Sequence, residues 1–153
     1  MTPKLPVSVL VVVHTAALEV LLLERQMRAG YWQSVTGSLD RLDEPLEAAA
    51  AREVREETGI AQACGALTAW NVVNTFEIYA GWRHRFAAGV LHNVEHVFGL
   101  RLPGRVPVTL ASDEHTAFAW LTWRDAAAKC FSWSNRDAIM ILGERFELRG
   151  PRP

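Results

Sequence analysis

The chain is 153 residues long, half of them apolar, with a formal net charge of -1. That length suits one domain with a substantial core. The near-neutral balance excludes bulk electrostatic attraction to nucleic acid or to a membrane surface, so any phosphate-bearing ligand must be held by local cations or by metal ions that offset acidic groups.

The N-terminal run "PVSVLVVVH" is short and Val-rich and lacks a small-residue cleavage site. It reads as a buried strand rather than a leader. "LEVLLLER" is a second strand, with "TAA" as the tight connection between them. "YWQSVTGS" is a third strand-like piece, expected to end at Gly37, where a turn can begin. A helix then spans "EPLEAAAAREVREET". Asp43 is its expected N-cap and Pro45 its first helical residue. Leu46, Ala50 and Val54 form its inward stripe, and Gly59 terminates it in a left-handed conformation.

"LTAWNVVNTFEIYA" and "NVEHVFGLRLP" read as long strands, with "GWRHRFAAGVLH" as a further strand and loop between them. "FAWLTW" is another strand. "RDAAAKCF" and "SNRDAIMILGERFEL" are the closing helices. Ala138, Ile139, Ile141, Leu142 and Phe146 are the apolar face of the second, and Ser134 with Asp137 resembles a capping box at its start. The tail "RGPRP" is expected to fray. No stretch is long and apolar enough to span a membrane, and a cytoplasmic location is the default. Cys64 and Cys130 stand far apart in no metal-like spacing and read as buried free thiols. His92 and His96 are four apart on a strand, which is not a convincing zinc spacing. Strands and helices mix without clean alternation, so the expected fold is α+β, a mixed sheet between helices.

The chemistry concentrates on the first helix. Residues three and four apart share a helix face, so Glu53, Glu56 and Glu57 converge. Their mutual repulsion is relieved by a hard divalent cation, for which oxygen ligands are suited. A solvated charged face balanced by Arg52 and Arg55 is the plain alternative. The wider pattern "GSLDRLDEPLEAAAAREVREETGI" resembles the signature of the Nudix hydrolases, with Glu44, Arg52, Glu53, Val54, Glu56, Glu57, Gly59 and Ile60 in register. Six residues separate Gly37 from Glu44, one more than the family spacing, so either the loop "LDRLD" carries an extra residue, the preferred reading, or Ser38 takes the Gly position. The segments "YWQSVTGS", "WRHRFAAGVLHNVEHVFGL", "EHTAFAWL" and "WSNRDAI" extend the resemblance to the family's dihydroneopterin triphosphate diphosphatase branch.

The resemblance implies a single Nudix domain over residues 1–153 (motif 37–60), with an α/β/α sandwich fold. It also implies Mg²⁺-dependent release of pyrophosphate from a small-molecule triphosphate, either a pterin or a nucleotide, with Mn²⁺ as the alternative ion. Glu53 and Glu57 are the implied metal ligands, with Glu56 and Glu114 as further ligands. Arg52 orients the glutamates, and either Glu53 or Glu114 is the general base. Gly37, Glu44 and Gly59 are structural motif positions. Lys4, Arg25, Thr36 and Trp133 are the implied substrate contacts, and Trp32 is a second stacking candidate. Arg83 and Arg85 share a strand face and offer further contacts. His115 is expected to be structural or exposed. No nucleic acid or membrane partner is implied, and homodimerisation is left open. The rival readings are a (d)NTP diphosphatase, such as one acting on dATP, and a non-catalytic nucleotide-binding regulator.

Overall fold

The computed structural model describes residues 2–146. The expectations for the Phe146 side chain, for the helix continuing to Leu148, and for the tail 149–153 lie outside the described residues. The elements are β1 (Val7–Thr15), β2 (Glu19–Arg25), β3 (Trp32–Gln33), β4 (Val35–Ser38), α1 (Leu46–Thr58), β5 (Ala66–Glu77), β6 (His92–Leu102), β7 (His115–Thr122), α2 (Trp123–Lys129) and α3 (Trp133–Phe146).

A mixed seven-stranded sheet carries the fold, in the order β3-β2-β1-β6-β5, with β4 also on β1 and β7 also on β2. β1 and β6 run parallel from Val7↔Val94 to Thr15↔Leu102. The other pairs are antiparallel. β1 is apolar on both faces because helices cover both. Val9, Val11 and Val13 pack with Ala50 and Val54 of α1. Leu10 and Val12 pack with Ala126 of α2 and with Ile139 and Leu142 of α3. A strand buried on both sides reads as a continuous apolar run rather than an alternation. Among the described residues no helix is long and apolar enough to cross a membrane.

Several local expectations are corrected. "YWQSVTGS" is two strands, because β3 pairs with β2 while β4 turns onto β1. Gly37 does not open a turn. It lies within β4, opposite Val9. Pro45, not Asp43, is the N-cap of α1, and no side chain caps it; Asp43 instead pairs with Arg41 at 2.9 Å. Gly59 does end α1 in the left-handed region (φ 74°), its N–H donating to the Arg55 carbonyl. The cap of α3 comes from Ser132, whose Oγ accepts from the Asn135 backbone and side-chain amides; Ser134 and Asp137 lie inside the helix. Residues Ala80–Arg85 form a 3₁₀ helix instead of a strand. Both thiols are free, but Cys64 is exposed and Cys130 half-buried.

Candidate active site

α1 is pinned beside β4 by one guanidinium. Arg52 Nε and Nη2 donate to the two carboxylate oxygens of Glu44 at 2.9 and 3.0 Å. Nη1 donates to Glu53 at 2.9 Å and to Glu56 at 3.4 Å. Nη2 also reaches the Ser38 carbonyl at 3.2 Å, and Asp40 lies 3.2 Å from Nε. The loop from Ser38 to Glu44 therefore closes on the helix through Arg52. Glu44 is buried and also accepts from the Asp40 amide. Hydrogen bonding to Arg52 holds its carboxyl below the usual range and raises Arg52 in turn.

Gly37 explains how closely the two elements meet. A Cβ there would overlap the Glu53 carboxyl group, so only glycine lets that carboxyl lie flat on β4. Burial raises Glu53 to about 7, against the pull of Arg52. Glu57 is more deeply buried. Burial, with Glu53 and Glu114 nearby, pushes it well above the carboxylate range, and the Thr36 amide opposes this. Its Oε2 is buried without a hydrogen-bond partner.

The loop before β7 brings Glu114 to this face, and β7 opens there with His115. Oxygens of Glu57 and Glu114 and a ring nitrogen of His115 lie within 4.8 Å of one another. The sequence left His115 between structural and exposed. It is buried, at 3% exposure, and burial next to Arg25 lowers it to about 4. Glu56 remains exposed on the outer side of α1. A buried, unpartnered carboxylate oxygen among further acids is a donor set that suits a divalent cation.

A groove of about 440 Å³ along Arg52, Glu53, Glu56 and Glu57 meets a larger cavity of about 590 Å³, the two sharing Lys4, Thr36, Gly37, Ser38, Glu57 and Glu114. Lys4, Arg25 and Arg85 line the cavity near the carboxylates. Burial, then the charge of Arg85, lowers both Lys4 and Arg25. Three crowded cations next to acids are a match for an oligophosphate. Arg25 stacks over Trp82 at 4.7 Å and donates to Gln33, whose amide donates to the Thr36 hydroxyl. Arg83 and Arg85 part company on the 3₁₀ helix. Arg83 pairs with Glu77 and caps the Ile78 carbonyl, and only Arg85 reaches the cavity.

Beyond the cations the walls are Phe76, Tyr79, Trp82, Phe131 and Trp133. Trp133 meets Phe76 edge to face at 6.4 Å. Trp32 does not line the cavity. It packs against the α2–α3 core with the Lys129 ammonium 4.7 Å over its ring. The floor holds buried polar residues: Ser134 and Asn135, from the segment "SWSN" that the resemblance places near the ligand, and Ser8, Asn93 and Glu95, which sequence reasoning passed over. Their signal was two polar residues of equal parity, Asn93 and Glu95, opening a strand that otherwise becomes apolar.

The NUDIX domain model matches residues 4–141. The chain belongs to the Nudix family. The dihydroneopterin triphosphate diphosphatase of Escherichia coli (strain K12) is 43% identical over 139 residues, covering 89% of this Nudix chain and 91% of the relative. The Haemophilus influenzae enzyme of that name is 35% identical over 136 residues, 86% and 84% of the two chains. The solved structure of the E. coli dihydroneopterin triphosphate pyrophosphohydrolase superposes with a TM-score of 0.86 at 39% identity, over 98% of this chain and all of that one.

Proposed function

We propose that this Nudix hydrolase, acting as a single domain, converts dihydroneopterin triphosphate and water to dihydroneopterin monophosphate and pyrophosphate. The observation that carries the reading is the continuity of one cavity from the α1 carboxylates, past Lys4, Arg25 and Arg85, to an aromatic and polar end. An oligophosphate and a flat heterocycle need those two environments in that order. The 43% identity to the E. coli enzyme over most of both chains supports the same assignment.

Glu53, Glu57 and Glu114 are the residues that would hold Mg²⁺, or Mn²⁺ in its place, with Glu56 at the exposed rim. Such an ion offsets the negative charge of carboxylates and phosphates and acidifies a coordinated water. Lys4, Arg25 and Arg85 hold the phosphate oxygens, with Thr36 beside them. Trp133 and Phe76 flank the ring. Glu53 is the better-placed proton acceptor for the attacking water. Arg52 Nη1 fixes its orientation at 2.9 Å, and a carboxylate so placed can accept a proton.

Pyrophosphate release by the purified protein with Mg²⁺ tests this, comparing dihydroneopterin triphosphate with dATP and GTP and including Glu57→Gln. The expected result is a pterin preference, with turnover lost in the variant. Equal or better activity on the nucleotides keeps the chemistry and makes the protein a (d)NTP diphosphatase. No turnover of any of them overturns the enzymatic reading in favour of a binding module.

A further inference from the structure

Two acceptors at the ring end of the cavity have no partner. Glu95 and Asn93 are 4% and 5% exposed, and both line the cavity. Glu95 Oε1 and Asn93 Oδ1 are buried without a hydrogen bond. The rest of each side chain is already engaged. Asn93 Nδ2 donates to Ser8 Oγ at 2.8 Å, and Ser134 hydrogen-bonds the Glu95 carboxyl. Asn93 and Glu95 are two apart on β6, so they share a face of the sheet. Across the sheet Ser38 lies opposite Ser8, and Ser8 opposite Glu95. Glu95 is thus two strands, roughly 10 Å, from the β4 residue whose carbonyl Arg52 holds.

Buried polar atoms of a native site are normally satisfied. A burial that leaves two acceptors bare, and raises Glu95 to about 7, points to a ligand that brings donors. Resting on the substrate class proposed above, we propose that Glu95 and Asn93 are the specificity-determining residues of this cavity, reading the 2-amino-4-oxopyrimidine edge of the substrate ring. That edge presents an exocyclic amine and a neighbouring ring N–H on the same side. A carboxylate accepts both at once, and Asn93 offers a further acceptor beside it. Adenine presents an amine beside a bare ring nitrogen, so the same carboxylate would face a lone pair and be left partly unsatisfied. Guanine shares the pterin edge. Hypoxanthine keeps the ring N–H and lacks the amine.

Quenching of tryptophan fluorescence reads binding without turnover, since Trp82 and Trp133 line the cavity. With the unaltered protein, GTP is expected to bind roughly tenfold more tightly than ITP, the loss of one buried hydrogen bond to a charged acceptor. In Glu95→Gln, which offers one acceptor and one donor, the GTP advantage over ITP is expected to vanish and dATP to bind more tightly than it does to the unaltered protein. Equal binding of GTP and ITP to the unaltered protein overturns the proposal, whether or not the variant folds. So does an unchanged GTP advantage in Glu95→Gln. If the GTP and ITP pattern holds while dihydroneopterin triphosphate releases no pyrophosphate, the edge reading stands and the proposed reaction alone falls.

Discussion

Gly37→Ala is the smallest change that separates catalysis from folding in this protein. The added methyl overlaps all three atoms of the Glu53 carboxyl group. Ordinary contact begins at 3.4 Å, so the carboxyl must retreat by more than about 1 Å. It cannot retreat freely, because Arg52 Nη1 holds it at 2.9 Å and the same guanidinium is committed to Glu44. A displacement of about 1 Å in a catalytic group costs on the order of a hundredfold in rate. The stability cost is smaller, about 1 kcal/mol for an overpacked but partly open site, or a Tm lowered by about 2–4 °C. Gly104→Ala is the control, because a Cβ there meets nothing within 4 Å. The assay is pyrophosphate release at saturating substrate across a Mg²⁺ titration, alongside thermal melts. Gly37→Ala with the kcat and Mg²⁺ dependence of the unaltered protein would show that the carboxyl has no need of that position, and the reasoning would be wrong.

Three other outcomes follow from the same geometry. Arg52→Lys, which cannot serve Glu44 bidentately while reaching Ser38 and Glu53, should lower stability by about 2 kcal/mol, read as a Tm drop of roughly 4–8 °C. Arg85→Ala should raise KM for the triphosphate about tenfold as one charged contact is lost, whereas Arg83→Ala, whose partners are Glu77 and Ile78, should leave KM unchanged in the same steady-state assay. Glu95→Gln should stabilise the ligand-free protein in a pH-dependent way. Burial raises Glu95 from 4.5 to about 7, so its ionisation opposes folding. The unaltered carboxyl carries no such penalty below pH 4.5. Stability is lost as pH rises from 4.5 through 7, by at most about 3.5 kcal/mol at about 1.4 kcal/mol per unit. Urea denaturation of both proteins from pH 4 to 8 should show their difference growing in that window, and a constant difference would contradict it.

The acidic face of α1 was legible in the sequence because helical spacing is a local property. Once residues 46–58 are helical, Glu53 and Glu57 share a face, and Gly59 ends the helix wherever the rest of the chain goes. The double-sided burial of β1 was equally plain in its unbroken Val and Leu run. What a local rule could not supply was which distant groups meet. Arg83 and Arg85 alternate only on a strand, and the chain makes a 3₁₀ helix there, which sends one to Glu77 and the other to the cavity. Asp43 is a sound cap in isolation, but the loop is drawn onto Arg52 and the helix starts after Pro45. Trp133 was the implied contact and Trp32 a second stacking candidate until the packing of α2 held Trp32 against the core. Asn93 and Glu95 look like ordinary strand polarity until β1 and α3 bury them beneath the cavity. The sequence by itself determined the acidic helix and the apolar strands, because each is set by neighbours within a few residues. Tertiary structure decided the rest of the far end of the cavity, beyond the expected Trp133, because its residues come from β1, β5, β6 and α3 and acquire their burial, and with it their unsatisfied acceptors, only when those elements pack together.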